Sequence, residues 1–277
     1  INTRAIQHNL DWVWPYWVVR QFDPLDHSFL PRAYSLTHIN LTHRNWTAIG
    51  IPDCQALPII DPRGLVTPFF DGWSLDACIL FEDGTTHQPS QSEKAEQELL
   101  FDEGGLVIQT TTRSEGSCLH MAALVVCESE GPVCRVRYEA DSPRAGYLCI
   151  ALRPYNPEGI SFIHNIGLSR DGLWCTVNKE RCLVFSEPVE RLAVSDYHSG
   201  DVYHRILQRP MALSVECDLG LATACAKFRL SPGQSRSVEA KVLLSSDKES
   251  QPLFPSGRSR TTWPDILAGA SVLRIGN

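Results

Sequence analysis

Residues 106–153 read LVIQTTTRSEGSCLHMAALVVCESEGPVCRVRYEADSPRAGYLCIALR, and this stretch decides the fold. It divides into four short runs, Leu106–Arg113, Cys118–Glu128, Cys134–Ala140 and Tyr147–Arg153, each with period-two or continuous apolar character. Clusters of Ser, Glu, Gly, Asp and Pro separate them, which is how half-buried strands and their reversals look in a sequence. Working outward, the same texture recurs in Ser74–Phe81, Leu173–Asn178, Arg181–Phe185, Glu190–Ser195, Ala212–Cys217, Ala222–Leu230 and Ser237–Leu244. Eleven such runs exceed what one flat open sheet holds, so the expected fold is all-β, a large antiparallel sandwich of two packed sheets.

Turn chemistry supports this reading. Glu82-Asp83-Gly84, Arg170-Asp171-Gly172 and Ser231-Pro232-Gly233 each fall between two expected strands and carry residues suited to tight reversals. Helix formers cluster in one place, Glu93–Leu100, where the same residues also suit an exposed strand. Ahead of Trp73 the character changes. Pro15, Pro24, Pro31, Pro52, Pro58, Pro62 and Pro68 interrupt the chain too often for regular structure, while Trp12, Trp14, Tyr16, Trp17, Phe22, Phe29, Tyr34 and Trp46 demand cover. Residues 1–72 are therefore expected to wrap irregularly over a sandwich formed by 73–246. Residues 247–277 read as a linker and the start of a connection, whose apolar pattern stops abruptly. The chain opens at Ile1 without a methionine or leader, which points to a start removed by processing or trimming.

Composition excludes several function classes. The 277 residues carry 32 acidic against 25 basic side chains, a net charge of -7, with no run of Lys or Arg fit to neutralise a phosphate backbone, so no nucleic-acid partner is expected. No apolar stretch approaches the roughly 18–20 residues of a bilayer span, and no membrane partner is expected. Ten cysteines invite a disulfide reading, yet Cys127, Cys149, Cys175 and Cys217 sit inside apolar or alternating runs where a thiol acts as a small hydrophobe. They read as core residues of a reduced protein, expected in the cytoplasm. Their spacing contains no Cys-x-x-Cys and the histidines no His-x-x-x-His, so neither a metal nor a cofactor is expected. The glycosylation patterns at Asn40 and Asn45 are discounted as too short to carry weight.

The densest polar constellation is Arg153-Pro154-Tyr155-Asn156-Pro157-Glu158-Gly159, a loop stiffened by two prolines at the end of a strand. Arg153, Tyr155, Asn156 and Glu158 suit hydrogen bonds to sugar hydroxyls or to a partner domain, or else to one another. Trp12, Trp14 and Trp17 suit either a platform for pyranose rings or burial against the sandwich. These seven are the expected carbohydrate-binding or interdomain residues. For catalysis, Asp61, Asp76, Glu158, Asp171, Glu187 and Asp201 are the acids formally available to a glycosidase, but nothing in their spacing selects a pair. No Gly-x-Ser-x-Gly elbow or phosphate-cradling loop is present. No catalytic residue is assigned.

Several phrases spread over most of the chain resemble one family: DWVWPYWVVRQFDP, FLPRAYSLTHINLTHRNWTAIGIP, DPRGLVTPFFDGWSLD, LRPYNPEGISFI, SGDVYHRI, CDLGLATA and LSPGQS. They are similar to the N-terminal β-sandwich domain of bacterial glycogen-debranching-like, amylo-α-1,6-glucosidase-type glycoside hydrolases. The resemblance implies a scaffold beside an (α/α)6 barrel that holds the two catalytic carboxylates, with WPDILAGASVLRIGN leading towards it. The matching positions belong to a domain without catalytic acids, so the implied role is to stabilise and shape the sugar site for an α-glucan, with carbohydrate and a helical catalytic domain of the same polypeptide as partners. Two alternatives stand beside it. One is a free-standing carbohydrate-binding module. The other is a mutarotase-like epimerase using a histidine and a carboxylate, for which His164 and Glu187 are conceivable.

Overall fold

The computed structural model describes residues 13–19, 25, 46–69, 72–102, 105–129, 131–156, 159–206, 212–244 and 262–269. A one-turn helix, α1 (Tyr16–Val19), comes first. The strands follow as β1 (Thr47–Ala48), β2 (Ile59–Ile60), β3 (Val66–Thr67), β4 (Ser74–Phe81), β5 (Thr86–His87) and β6 (Ala95–Asp102). Next come β7 (Gly105–Ser114), β8 (Ser117–Glu128), β9 (Gly131–Asp141), β10 (Gly146–Arg153), β11 (Tyr155–Asn156), β12 (Gly159–Ile160) and β13 (Asn165–Leu168). The series ends with β14 (Trp174–Val177), β15 (Glu180–Phe185), β16 (Arg191–Ser195), β17 (Ser214–Glu216), β18 (Thr223–Leu230) and β19 (Arg236–Leu243), before a short helix, α2 (Trp263–Ala268).

Two large antiparallel sheets take nearly all of these strands. The first runs β1-β2-β3-β4-β10-β18-β16, with β5 also on β4; the second runs β17-β13-β14-β15-β19-β9-β8-β7-β6. All eleven expected runs are strands, and Ser74–Phe81 has the expected bounds. The glycines of the three expected reversals, Gly84, Gly172 and Gly233, all adopt positive φ between strands. Glu93–Leu100 resolves as an edge strand, because β6 pairs with β7 through eight consecutive residues. In the proline-rich region β1, β2 and β3 are two residues long, which is what Pro52, Pro58, Pro62 and Pro68 leave room for. Through them the first sheet extends beyond β4 into the segment ahead of Trp73. Residues 245–261, most of the expected linker, lie outside the described residues.

The core lies between the sheets. Along β8 Leu119, Met121, Ala123 and Val125 point inward, and along β9 Cys134, Val136, Tyr138 and Ala140 do so, while Arg135, Arg137 and Glu139 face out. The first sheet contributes Leu75, Ile79, Leu148, Ile150, Ala226 and Phe228 to the same layer. Phe185 of one sheet meets Phe228 of the other edge-on, centroids 5.6 Å apart. Each such large side chain adds roughly 1.5–3 kcal/mol on burial. Strands β4 and β10 are buried on both faces, which explains their continuous apolar sequence. A second cluster, with Cys78, Leu80, Cys149, Ala151, Cys225, Val202 and Ile206, covers the far face of the first sheet.

The nine cysteines whose side chains are described are free thiols. Cys149, Cys175 and Cys217 are buried as expected, whereas Cys127 is half-buried near the end of β8. Burial raises the Cys134 thiol to about 12, so it behaves as an apolar filler. Among the described residues no helix is long and apolar enough to cross a membrane.

Candidate functional site

Strand register decides which side chains of the Arg153 loop meet. In the β4–β10 ladder Ser74 stands opposite Arg153 and Asp76 opposite Ala151. Side chains alternate along a strand, so Ser74, Asp76, Ala151 and Arg153 share one face. Leu75, Ala77, Leu148, Ile150 and Leu152 take the interlayer face, which sends Arg153 to the far one.

Arg153 is fully buried there. Its Nη1 donates to Asp201 Oδ1, its Nε lies 3.7 Å from Asp76 Oδ2, and its guanidinium sits 4.8 Å from the centre of the Tyr203 ring. Burial works against the charge, but Asp201 first, and Asp76 with it, hold the guanidinium protonated and lift its pKa well above the ordinary arginine value. Burial also raises the Asp76 carboxyl, and Arg153 pulls it partly back.

Asp201 caps the single helical turn Val202–His204, its Oδ1 accepting from the Tyr203 amide at 3.0 Å. Its other oxygen accepts from the Val13 amide at 3.1 Å, and Tyr155 donates its hydroxyl to the Val13 carbonyl at 3.2 Å. Both polar groups of one N-terminal backbone residue are thereby fastened to the sandwich. Ser74 Oγ donates to the Tyr155 carbonyl at 2.6 Å and lies 2.8 Å from Thr67 Oγ1. Asn156 Nδ2 donates to the Gly72 carbonyl at 2.7 Å. Half-buried Trp14 packs with Leu65 and Tyr155.

Four of the seven expected residues therefore converge: Arg153, Tyr155, Asn156 and Trp14. All but Trp14 are buried; Arg153 Nη1, the Tyr155 hydroxyl and Asn156 Nδ2 engage carboxylate or backbone groups of the chain itself, whereas Arg153 Nη2 has no hydrogen-bond partner among the described residues. Trp12 and Glu158 lie outside the described residues, and for Trp17 only the backbone, in α1, is described. What the sequence did not reveal is that Asp76 and Asp201 share the guanidinium of Arg153. The one local signal is the capping position of Asp201 ahead of Val202-Tyr203.

Asp61 is a second strongly perturbed buried acid. Burial pushes its carboxyl up to about 7, against the pull of the backbone amides of Leu65 and Arg63 and the charge of Arg63. Such a value suits a general acid. Yet Asp61 Oδ1 accepts from the Arg63 and Leu65 amides at 2.7 and 2.9 Å, so the carboxyl closes its own turn between β2 and β3. Asp171 likewise closes a turn, accepting from the Ser169 hydroxyl and the Leu173 amide, and Glu187 pairs with Arg236 at 2.8 Å. His164 Nδ1 lies 3.3 Å from the Cys217 carbonyl. No hydrogen bond or ion pair joins His164 to Glu187 among the described residues. Nor, among these, do three metal-binding side chains converge.

No family model and no curated protein matches the chain. Among solved structures it is similar to a bacterial glucoamylase complexed with acarbose, with a TM-score of 0.49 at 7% identity over 74% of this chain and 32% of that one. It is also similar to a putative kojibiose phosphorylase from human microbiome, with a TM-score of 0.34 at 8% identity over 72% of this chain and 25% of that one. The chain thus spans about a third of the first protein and a quarter of the second.

Proposed function

We propose that this chain is a non-catalytic β-sandwich domain of a glycoside hydrolase acting on an α-glucan-type polysaccharide, which stabilises and shapes the sugar site of a helical catalytic domain. The reading draws on the family-like phrases of the sequence and on the two-sheet antiparallel architecture. One observation carries it: of the six acids singled out in the sequence, the five that are described are already engaged. Asp76 and Asp201 flank a buried arginine, Asp61 and Asp171 close their own turns, and Glu187 is ion-paired. Glycoside hydrolysis needs one carboxylic acid and one carboxylate on either side of an accessible bond. On this reading the Arg153 cluster is a clasp that holds the N-terminal segment on the sandwich, giving a helical neighbour a fixed surface.

The test is an assay for new reducing ends after incubating the purified chain with glycogen and with maltooligosaccharides. No turnover is expected. Hydrolysis that disappears on substituting a single Asp or Glu would overturn the proposal.

A further inference from the structure

We infer that Phe162 and His164 form a stacking shelf for the pyranose rings of a glucan, exposed to solvent where the Arg153 clasp is buried. The inference rests on the carbohydrate reading above, and it starts from the alternation in Phe162-Ile163-His164. Ile163 is fully buried and forms a parallel bridge with Leu221, its amide donating to the Gly220 carbonyl at 2.7 Å and its carbonyl accepting from the Ala222 amide at 3.0 Å. An inward Ile163 turns its two neighbours outward. Phe162 is accordingly 62% exposed, and His164 is exposed beside it.

The two rings are nearly parallel, 23° between planes, with centroids 6.2 Å apart. At that separation parallel rings are offset, so they lie as a step rather than face to face. A single exposed Phe is ordinary. This one is held in place. Asn178, on the neighbouring turn, accepts from the His164 amide at 2.7 Å and donates to the Phe162 carbonyl at 3.0 Å. Gly220, at φ +70°, lies under the ring, where a Cβ would come within 2.7 Å of Phe162 Cδ1. Ordering the platform in advance removes an entropy cost that a mobile aromatic would bring to binding.

The polar surroundings suit hydroxyl groups. A carbonyl only accepts, so the contact with Cys217 places the proton of neutral His164 on Nδ1 and leaves Nε2 as an acceptor. Glu216 and Asp218, the chain neighbours of Cys217, are exposed. Two rings bordered by Leu219 fall well short of the roughly 800 Å² that each side of a stable protein interface buries. They match a small ligand with one apolar face and a polar rim, which is what a pyranose presents.

Calorimetric titration with maltoheptaose tests the shelf. The wild-type chain is expected to bind at millimolar sugar or below, Phe162→Ala to weaken binding by about tenfold or more with an unchanged far-UV spectrum, and Phe162→Trp to retain it. No heat from the wild type, binding indifferent to Phe162→Ala, or a dimer in solution that Phe162→Ala dissociates would each overturn the proposal. Absence of heat leaves the non-catalytic reading standing, whereas hydrolysis of the heptasaccharide would sink that reading and leave the shelf intact.

Discussion

Asp201 and Arg153 form an ion pair in which neither side chain has any exposed surface. Such a pair is costly to assemble and more costly to break, because removing one partner leaves the other as a buried charge. Asp201→Asn is therefore expected to destabilise the sandwich by about 3–5 kcal/mol. Arg153→Met combined with Asp201→Asn should be less damaging than Asp201→Asn alone, since no guanidinium is left short of its carboxylate and Asp76, whose carboxyl burial already raises, can take up a proton. Urea denaturation of Asp201→Asn, Arg153→Met and the double variant checks this, and a strictly additive pair of losses would contradict the clasp.

Two other buried groups pull against each other in pH. Burial lifts the Asp61 carboxyl to about 7 and lowers the His87 imidazole to about 4. Asp61 holds its proton more tightly folded than unfolded, so its contribution is fully present below its unfolded pKa and is lost as pH rises through about 7. His87 binds its proton less tightly when folded, so its contribution is present above about 6.5 and is lost as pH falls towards about 4. Between about pH 4 and 6.5 the slopes oppose, each approaching about 1.4 kcal/mol per pH unit. Relative to the wild type, Asp61→Asn should lose stability on acidification over this window and His87→Gln should gain it. Denaturation midpoints measured across the window decide the matter, and curves parallel to the wild type would refute the assignment.

Gly146 and Gly233 should respond very differently to the same methyl group. At Gly146, between β4 and β18, a Cβ would lie 2.2 Å from the Leu80 carbonyl oxygen, a backbone atom that cannot move without parting the strands. Gly146→Ala is expected to cost more than about 4 kcal/mol or to prevent folding. Gly233 sits at φ +67° with nothing within 4 Å of its Cβ position, so Gly233→Ala should cost only the left-handed backbone term, about 1–2 kcal/mol. Thermal melts compare the two.

Trp263 ties α2 to the sandwich. Its Nε1 donates to the Gly50 carbonyl at 2.9 Å, and its ring lies over Gly105. The helix has a capping box between Thr262 and Asp265, but six residues do not hold a helix unaided. Trp263→Ala should raise amide hydrogen exchange across 265–268 to that of an unstructured chain and leave β8 and β9 unchanged. Protection persisting in α2 would show that another contact anchors it.

The strands were readable because their signal is local. Cys134–Ala140 announces a strand without reference to any partner, as the chain need only alternate to bury one face. Glu93–Leu100 was undecided for the same reason: its propensities fit helix and strand alike, and the long ladder with β7 made it an edge strand. Asp201 and Arg153 are 48 residues apart, so no window of sequence contains their meeting. The Phe162 and His164 shelf likewise depends on Gly220 and Asn178, brought in by other strands.

The amino-acid order alone was enough to tell that the chain is all-β, where eleven of its strands and three of its reversals fall, and that the thiols of Cys149, Cys175 and Cys217 belong to the core. Side-chain alternation and turn chemistry act over a few neighbouring residues, and this is why they can be read directly. Only the tertiary structure decided that the polar loop after β10 turns inward to clasp Val13 while Phe162 faces water. Register and sheet order choose the face each residue takes, and a shift of one position would exchange buried and exposed sets throughout a strand.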